Sequence, residues 1–568
     1  MIKKFPIYVD NKKLMASEGE SVLEVALRNG IDIPHFCYHP DLPAESSCRA
    51  CLVETESGRI ETSCSLKCHD GLKVKITDKV KKLRTENMEL LLAGHLKNCP
   101  KCKEGLACHV AEKMKKFKVS GEKYARDYTH QPKMPLNCAA EFDPKLCIAC
   151  GLCVKMCQLH EVGYLKYHGH DSKTRISCTD DPKVDCIYCG QCTVHCPTGA
   201  MHEHSHLKQV ENALKQKNKI VIVQTAPSVR VAIGEEFGIN PGVNLERKLN
   251  TAYRKLGFDK IFDVNFGADV TTMVEAEELA ERLHSGKNLP MFTSCCPGWV
   301  KFVEFYKPKY LKNLTTSRSP QIHSGGIFKT YWAEKNGIDP KNIIVVSTMP
   351  CTSKKYEASH EKLKINGMKP VDFVLTTREL ATLLKKNKID LPKLKPSAPD
   401  QYGEYSGAAV IYGASGGVME SALRTAYFML TGKDMPQIDF LPARGMKGVK
   451  TATVKIGKKN LKIAVIATIK NVRKLFDELE KSPHKYDYIE VMACPGGCLG
   501  GGGQPAGSTL KDIAERTKGI YKIDKGKKKR RAHENPLVQE FFEDIKSWPK
   551  KKRESVLFTS YGRKERGE

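Results

Sequence analysis

The sequence predicts a multidomain α/β protein: a small N-terminal α+β unit, a cysteine-rich middle, and one large α/β unit. Three observations carry that reading. The chain has 568 residues, enough for several domains with at least one large core. Its 23 cysteines fall mostly in close-spaced groups. From about residue 210 onward, continuous apolar runs alternate with amphipathic helical stretches, the pattern of a mostly parallel sheet covered by helices.

Composition narrows the class. Hydrophobic residues make up 40% and charged residues 28%, which predicts a soluble globular chain and excludes a disordered one. No apolar run approaches the length of a bilayer span, so no membrane partner is expected. The N-terminus, Met1-Ile-Lys-Lys-Phe-Pro-Ile-Tyr-Val, enters an alternating strand pattern at once. It carries neither the apolar stretch of a signal peptide nor an Arg/Ser-rich leader, and a cytoplasmic location is the expectation. A disulfide scaffold would be short and secreted, so the cysteines read as metal ligands. The net charge of +28 favours acidic partners and faster electrostatic encounter; a Lys-rich solvated surface is the other reading. Apart from Lys525–Arg531 and Lys550–Arg553 the basic residues are scattered, and without a nucleic-acid motif no nucleic-acid partner is expected.

Residues 1–80 show strands at Phe5–Val9, Ile60–Thr62 and Leu72–Ile76 and a helical stretch at Ser21–Arg28. Cys37, Cys48, Cys51 and Cys64 are spaced x10, x2, x12. A tight C-x2-C clip with a distant partner on either side suits a [2Fe–2S] rhombus, and the arrangement resembles the plant-type ferredoxin domain. That resemblance implies a β-grasp fold. Cys68 competes for the fourth position; Cys64 is preferred because it sits where related multi-cluster enzymes place the ligand. Residues 81–130 read as helical and basic and contain His95-x3-Cys99-x2-Cys102-x5-Cys108. Three thiolates want a fourth ligand for a [4Fe–4S] cube, and His95 is the nearest candidate, with a neutral imidazole that raises the potential.

Residues 131–208 hold Cys147-x2-Cys150-x2-Cys153-x3-Cys157 and Cys186-x2-Cys189-x2-Cys192-x3-Cys196-Pro197. This internal duplication is the double bacterial ferredoxin run, in which the fourth cysteine of each run crosses to the other cluster. One cube is therefore expected on Cys147, Cys150, Cys153 and Cys196, and the other on Cys186, Cys189, Cys192 and Cys157. Cys138 and Cys178 read as spare, inert thiols. The His202-Glu-His-Ser-His206 stretch reads as a solvated loop rather than a metal site.

Residues 209–568 carry expected strands at Lys219–Gln224, Leu289–Phe292, Ile343–Ser347, Phe373–Leu375, Leu461–Ile466 and Tyr488–Met492. Helical periodicity marks Thr272–Leu283, Gly417–Leu430 and Ile469–Lys481. Three cysteine segments follow predicted strands: Thr293-Ser-Cys-Cys-Pro-Gly-Trp299, Met349-Pro-Cys-Thr-Ser-Lys354 and Met492-Ala-Cys-Pro-Gly-Gly-Cys498. That edge of an α/β sheet is where ligands bind. No G-x-G-x-x-G follows a first strand, so no nicotinamide site is implied. Gly500–Gly503 lacks a P-loop lysine and reads as close backbone packing on a cofactor.

At these segments the chain resembles the [FeFe]-hydrogenases over nearly its whole length, in the blocks T-S-C-C-P-x-W, M-P-C-x-x-K and C-P-G-G-C. The cluster order resembles the monomeric clostridial type with four accessory clusters: one [2Fe–2S] and three [4Fe–4S], one of these with a His ligand. The tail, from Asn535-Pro-Leu-Val through Phe541-Phe542 to Tyr561, resembles the family's small-subunit segment. The resemblance implies a large two-lobed α/β domain for the H-cluster. Its [4Fe–4S] part would be held by Cys296, Cys351, Cys494 and Cys498, with Cys498 bridging to a diiron subcluster carrying CO, cyanide and a dithiolate amine. Thiolate is the soft donor that anchors iron and passes electrons. Lys354 would donate to one cyanide, and Pro227 and Ser228 would approach the other. Ser319, Gln321, Met349, Tyr412 and Met492 would line the pocket.

The family places a proton path at Cys295, beside the bridging amine, then Glu275, Thr315, Glu278 and Arg282. The spacing of Glu275, Glu278 and Arg282 puts them on one helix face; read alone, it is an ordinary ion pair. Thr315 stands where relatives often have Ser, and Tyr412 where they often have Phe. The implied activity is reversible H2 chemistry, 2 H+ + 2 e- = H2, with electrons from reduced ferredoxin or flavodoxin and a diiron unit installed by maturation proteins. A non-catalytic electron-transfer subunit, an iron–sulfur assembly protein and a redox sensor are the alternatives. The intact C-terminal blocks weigh against the first, Cys295 and the full accessory set against the second, and the lack of a sensory domain against the third.

Overall fold

The structure is a computed structural model that describes residues 3–93, 109–120, 123–124, 134–169, 175–457 and 459–568. His95, Cys99, Cys102 and Cys108, the expected His/Cys3 site, lie outside the described residues.

The N-terminal unit is a mixed sheet with one helix across it. Strands β1 (Lys4–Val9) and β2 (Lys12–Ser17) form a hairpin. Asp10 and Asn11 turn it with φ of 48° and 65°, as a two-residue hairpin requires. Helix α1 (Val22–Arg28) starts at a Ser21/Glu24 capping box, which satisfies two free backbone donors. Strands β3 (Leu52–Thr55), β4 (Ile60–Thr62) and β5 (Lys73–Lys75) complete the order β2-β1-β5-β3-β4. Only β1 and β5 pair in parallel. Val22, Leu23, Val25 and Ala26 of α1 pack on Ile7, Val9, Val53 and Val74, which is the β-grasp arrangement. Helix α2 (Asp78–Leu92) begins at Thr77 and runs through residue 80.

The middle unit repeats one design twice. Strands β6 (Met134–Pro135) and β7 (Ala140–Phe142) precede helix α3 (Leu152–Leu159). Strands β8 (Leu165–His168) and β9 (Arg175–Cys178) make a ribbon before helix α4 (Gln191–Val194) and strand β10 (Met201–Glu203). Ala149 and Gly151 before α3, and Tyr188 and Gly190 before α4, have φ of 50°, 79°, 59° and 67°. The turn aims backbone N–H groups inward. Ala149 N donates to Cys147 Sγ at 3.3 Å and Tyr188 N to Cys186 Sγ at 3.4 Å. The histidine stretch is not the expected loop. Met201–Glu203 pairs with β7, which places His202 and His204 at 3.3 and 2.6 Å from Glu141. His206 Nδ1 accepts from Val374 N.

The C-terminal unit has two sheets. Strands β11 (Ile220–Thr225) and β12 (Lys260–Asp263) come first, then helix α5 (Val264–Ser285), strand β13 (Met291–Phe292) and helices α6 (Pro297–Tyr306) and α7 (Pro320–Ile327). Strand β14 (Ile343–Met349), helix α8 (Ser353–Ser359), strand β15 (Phe373–Thr376) and helix α9 (Gly417–Thr431) follow. Strands β16 (Val449–Ile456) and β17 (Lys459–Ala467), helix α10 (Ile469–Lys481) and strand β18 (Tyr488–Met492) complete the second sheet. One sheet, β12-β11-β14-β15, is parallel throughout; the other, β13-β18-β17-β16, is parallel except for β16.

Helix α5 joins the lobes. Phe266, Val270 and Val274 enter the core of the first sheet, and Ala276 and Leu279 that of the second. After helix α11 (Leu510–Gly526), α12 (Pro536–Asp544) and α13 (Lys550–Leu557) return Phe541, Val556 and Leu557 to the first core. The last residues run back over the surface: Lys564 N donates to Glu304 O, and Gly567 N to Asp185 Oδ2. Among the described residues no helix is long and apolar enough to cross a membrane.

Candidate active site and its electron path

Three strand ends from both lobes deliver the cysteines to one place. Cys295 and Cys296 follow β13 and Cys494 follows β18 in one sheet, while Cys351 follows β14 in the other. Cys498 sits in a short turn entered through Gly496 and Gly497, with φ of 66° and 78°. The turn folds hard onto the Cys351 segment: a Cβ on Gly501 would lie 2.3 Å from Pro350 O, and one on Gly503 2.9 Å from Pro350 C. Burial lifts the Cys296, Cys351, Cys494 and Cys498 thiols, Cys351 to about 11. The charges of Cys296, Cys351 and Cys498 add to the lift on Cys494, and those of Cys351 and Cys296 to the lift on Cys498. Four thiols that oppose one another's ionisation are stable as thiolates only around a shared cation, and an iron–sulfur cube is the ordinary occupant of such a set.

The surrounding pocket has polar atoms still free to bind. Ser228 Oγ, fully buried at the start of the Pro227–Arg230 turn, has no partner among the described residues, nor has Gln321 Oε1. Gly413 faces Ser228 closely enough that a Cβ would lie 2.7 Å from its Oγ. Lys354 Nζ donates to Cys295 O at 3.0 Å, Ser319 Oγ at 2.9 Å and Glu357 Oε2 at 2.9 Å. Ser319 Oγ and Gln321 Nε2 also donate to Glu357. Gln504 Nε2 reaches the carbonyls of Ser228 and Cys498, each at 3.3 Å. Met492 packs with Cys295, Cys296 and Tyr412; Met349, at the end of β14, belongs to the first lobe's core.

The expected proton-path residues lie near one another about α5, with Cys295 close enough to Glu275, and Glu275 to Glu278 and Arg282, for their charges to interact. Burial lifts the Cys295 thiol well above its ordinary value, and the nearby Glu275 carboxylate adds to that. Glu275 is buried too, pushed up to about 8 by burial. Thr315 Oγ1 donates to Glu278 Oε2 at 2.6 Å, and Arg282 binds Glu278 Oε1 at 2.5 Å. Glu275, Glu278 and Arg282 share one face of α5, as their spacing implies. Tyr412 OH bonds Thr272 Oγ1 at 2.9 Å on the same helix.

The accessory cysteines assemble upstream. One cavity is lined by Cys147, Cys150, Cys153 and Cys196, and another by Cys157, Cys186, Cys189 and Cys192, the crossed sets expected from the sequence. Cys494 Sγ lies 3.9 Å from Cys189 O, so the second set abuts the four-thiol site. In the N-terminal unit Cys48 N donates to Cys37 Sγ at 3.4 Å. Hydrogen bonding with Cys48 draws the Cys37 thiol down to about 6, and with Cys51 draws Cys64 down to about 7. Cys37 packs in one apolar cluster with Ile148 and Cys150. Cys68 packs in the same buried cluster as Cys51 and Cys64, its thiol lifted to about 11 by burial and then by Glu20 and Glu24. Cys138 is exposed and Cys178 half-buried.

Comparison with known proteins agrees with this geometry. The profile of the iron only hydrogenase large subunit, C-terminal domain, matches residues 219–502, and that of the iron hydrogenase small subunit matches 510–564. A 2Fe-2S iron-sulfur cluster binding domain matches 3–79 and a 4Fe-4S dicluster domain 146–200. The chain is 39% identical to the NADP-reducing hydrogenase subunit HndD of Solidesulfovibrio fructosivorans over 99% of both chains. It is 38% identical to iron hydrogenase 1 of Clostridium pasteurianum over 95% of this chain and 96% of that one. The chain belongs to the iron-only hydrogenase family. A solved [FeFe]-hydrogenase of Chlamydomonas reinhardtii superposes with a TM-score of 0.57 at 36% identity, over 63% of this chain and 99% of that one.

This hydrogenase is therefore an oxidoreductase acting on H2, with iron–sulfur clusters and an H-cluster site. Two side chains in the site were not anticipated. Glu357 was legible, since it lies three residues after Lys354 and such pairs meet on a helix. Tyr488, whose hydroxyl donates to Glu275 Oε1 at 2.7 Å, carries no local signal at all.

Proposed function

We propose that this hydrogenase interconverts protons and H2 with electrons exchanged through reduced ferredoxin or flavodoxin, in the cytoplasm and away from membranes and nucleic acid. The observation that carries the reading is the 3.9 Å approach of Cys494 Sγ to Cys189 O, which joins the accessory thiols to the catalytic ones without an intervening side chain. Electrons enter at a [2Fe–2S] cluster on Cys37, Cys48, Cys51 and Cys64 or at a cube on His95, Cys99, Cys102 and Cys108. They pass the two crossed cubes and reach the cube on Cys296, Cys351, Cys494 and Cys498. The basic surface draws in an acidic carrier.

The diiron subcluster, installed by maturation proteins, supplies when bound an open iron position and a basic amine, and its chemistry is its own. The chain's part is to bind, orient and deliver protons. Lys354 would present its positive charge, and Ser228 its unpartnered hydroxyl, where anionic cyanide ligands would lie, and Gln321, Met349, Tyr412 and Met492 would close the cavity. Cys295 holds a proton as a neutral thiol and passes it on, refilled through Glu275 from Glu278, Thr315 and Arg282. Infrared spectroscopy of protein produced with competent maturation tests the reading: CO and cyanide stretches are expected, and their absence would defeat it.

A further inference from the structure

Glu275 is held from one side only. Its Oε1 accepts the Tyr488 hydroxyl at 2.7 Å, while its Oε2 is buried with no partner among the described residues. Both residues are sealed from solvent, at 1% and 0% exposure. A buried carboxylate oxygen without a donor is costly, and its retention calls for a functional reason. The bond is built by the fold: Glu275 lies midway along the helix that joins the two lobes, and Tyr488 opens the strand that leads to Cys494.

We propose that Tyr488 is a positioning residue of the proton path, pinning Oε1 of Glu275 so that Oε2 alone exchanges protons. The inference rests on the reading that Glu275 refills Cys295. For each proton passed inward, the Cys295 S–H bond breaks as that proton moves into the pocket, the Oε2–H bond of Glu275 breaks as a new S–H bond forms on Cys295, and Oε2 regains an O–H bond as a proton leaves the Thr315–Glu278 group, which solvent refills. No electrons move in these steps, and Tyr488 keeps its own hydrogen throughout.

The groups facing Glu275 set what the hydroxyl does. Glu278 and Arg282 come from its own helix, Glu490 and Tyr488 from β18, Cys295 from the loop after β13, and Tyr412 from the Ile411–Gly413 turn. Burial favours the protonated carboxyl, and Glu278 and Glu490 push the same way. The Tyr488 donor opposes them, as does the charge of Arg282. Tyr412 is bonded to Thr272 instead. Without the Tyr488 hydroxyl both carboxylate oxygens would be unpartnered, and the side chain would hold its proton to higher pH.

The test is Tyr488→Phe, which removes one oxygen. Infrared pH titration of the iron–sulfur protein lacking the diiron unit reads the Glu275 carboxyl band, assigned by its loss in Glu275→Gln. The band is expected at the lower frequency of a hydrogen-bonded carboxyl in the unsubstituted chain. In Tyr488→Phe it should rise in frequency, with its titration midpoint at least tenfold lower in proton concentration. In the matured enzyme the limb of the turnover–pH profile should move by the same amount, with the CO and cyanide stretches unchanged. A free-carboxyl frequency in the unsubstituted chain would overturn the proposal whether or not the variant folds. So would an unmoved band and pH limb in Tyr488→Phe, even with reduced turnover. Matured protein lacking CO and cyanide stretches would instead defeat the hydrogenase reading and the relay with it, while the band in the unmatured protein still decides the Tyr488–Glu275 bond.

Discussion

Lys354 and Glu357 form a buried ion pair, Nζ to Oε2 at 2.9 Å, one turn apart on α8. The other ammonium hydrogens go to Cys295 O and Ser319 Oγ, and the carboxylate also receives Ser319 and Gln321. One lysine thus ties the Cys351 segment, the Cys295 loop and the start of α7 together. A cation held so firmly is already aimed before any ligand arrives.

Removing that cation should empty the diiron pocket while sparing the cube. Lys354→Met keeps the length of the side chain but leaves the Glu357 carboxylate buried with two neutral donors. Breaking a buried pair from one side costs about 3–5 kcal/mol. Iron in the four-thiol site is expected to remain. The CO and cyanide stretches should be lost or much reduced, and H2 turnover should fall on the order of a hundredfold. Full-intensity stretches in the variant would show that the ammonium is structural only.

Cys295→Ala should do the reverse, keeping clusters and stretches while losing turnover. The thiol is held neutral by burial and by Glu275, which suits a group that carries a proton without a standing charge. Deleting it removes a positioned acid–base group, worth about 10²–10⁴ in rate. Near-normal H2 evolution in the variant would take Cys295 out of the path.

Cys64 and Cys68 are separated by their neighbours. Cys64 accepts from the Cys51 thiol and lies 3.6 Å from Ser46 Oγ, whereas Cys68 is lifted by burial and by Glu20 and Glu24. Cys68→Ala is therefore expected to keep the electron paramagnetic resonance signal of a reduced [2Fe–2S] cluster, and Cys64→Ala to lose it. The opposite pattern would exchange their roles.

What the sequence made legible was local. Runs such as Cys186-x2-Cys189-x2-Cys192 carry their own backbone turns, so their gathering around one cavity was visible in the spacing. Helix Ile469–Lys481 has the predicted bounds because its period is clear, and strand Tyr488–Met492 because it is a short run buried along its whole length. Strand β12 is four residues long and runs straight into α5, and Lys450, Thr451, Thr453 and Lys455 interrupt β16; neither offers a continuous apolar run to detect. The division into two sheets was implied only by the family, since pairing partners such as β11 and β14 are far apart in sequence. The Tyr488–Glu275 bond spans 213 residues, and no periodicity reaches that far.

The proposed electron path crosses a contact between two glycines. A Cβ on Gly502 would lie 2.4 Å from Cys189 O and 2.5 Å from Gly190 Cα. Thr193 Oγ1 donates to Gly502 O, and Gln191 Nε2 to Gly500 O, both at 2.8 Å. Gly502→Ala must push the ferredoxin-like unit off this loop, with an overpacking cost of about 1–3 kcal/mol. H2 evolution driven by a reduced protein carrier should slow while the CO and cyanide stretches persist. Unchanged carrier-driven turnover would mean that electrons reach the site by another contact.

Asp269 gives the pH dependence of stability a definite sign. It is fully buried in α5 and accepts from Ser406 N at 2.9 Å, Ser406 Oγ at 2.5 Å and Asn535 Nδ2 at 2.9 Å. Burial outweighs these bonds and lifts the carboxyl from 3.8 to about 7. The folded state therefore binds this proton more tightly than the unfolded chain does. The resulting stability is full below about pH 4 and is lost as pH rises through about 7, a swing on the order of 4 kcal/mol. Asp263, lifted to about 6, and Glu275, lifted to about 8, act in the same direction. The melting temperature of the anaerobic protein should fall from mildly acidic to mildly alkaline pH. Asp269→Asn cannot ionise and its amide oxygen can still accept from Ser406 N and Asn535, so its melting temperature should lose less as pH rises. A variant that falls with the same slope as the parent would place the pH sensitivity elsewhere in the fold.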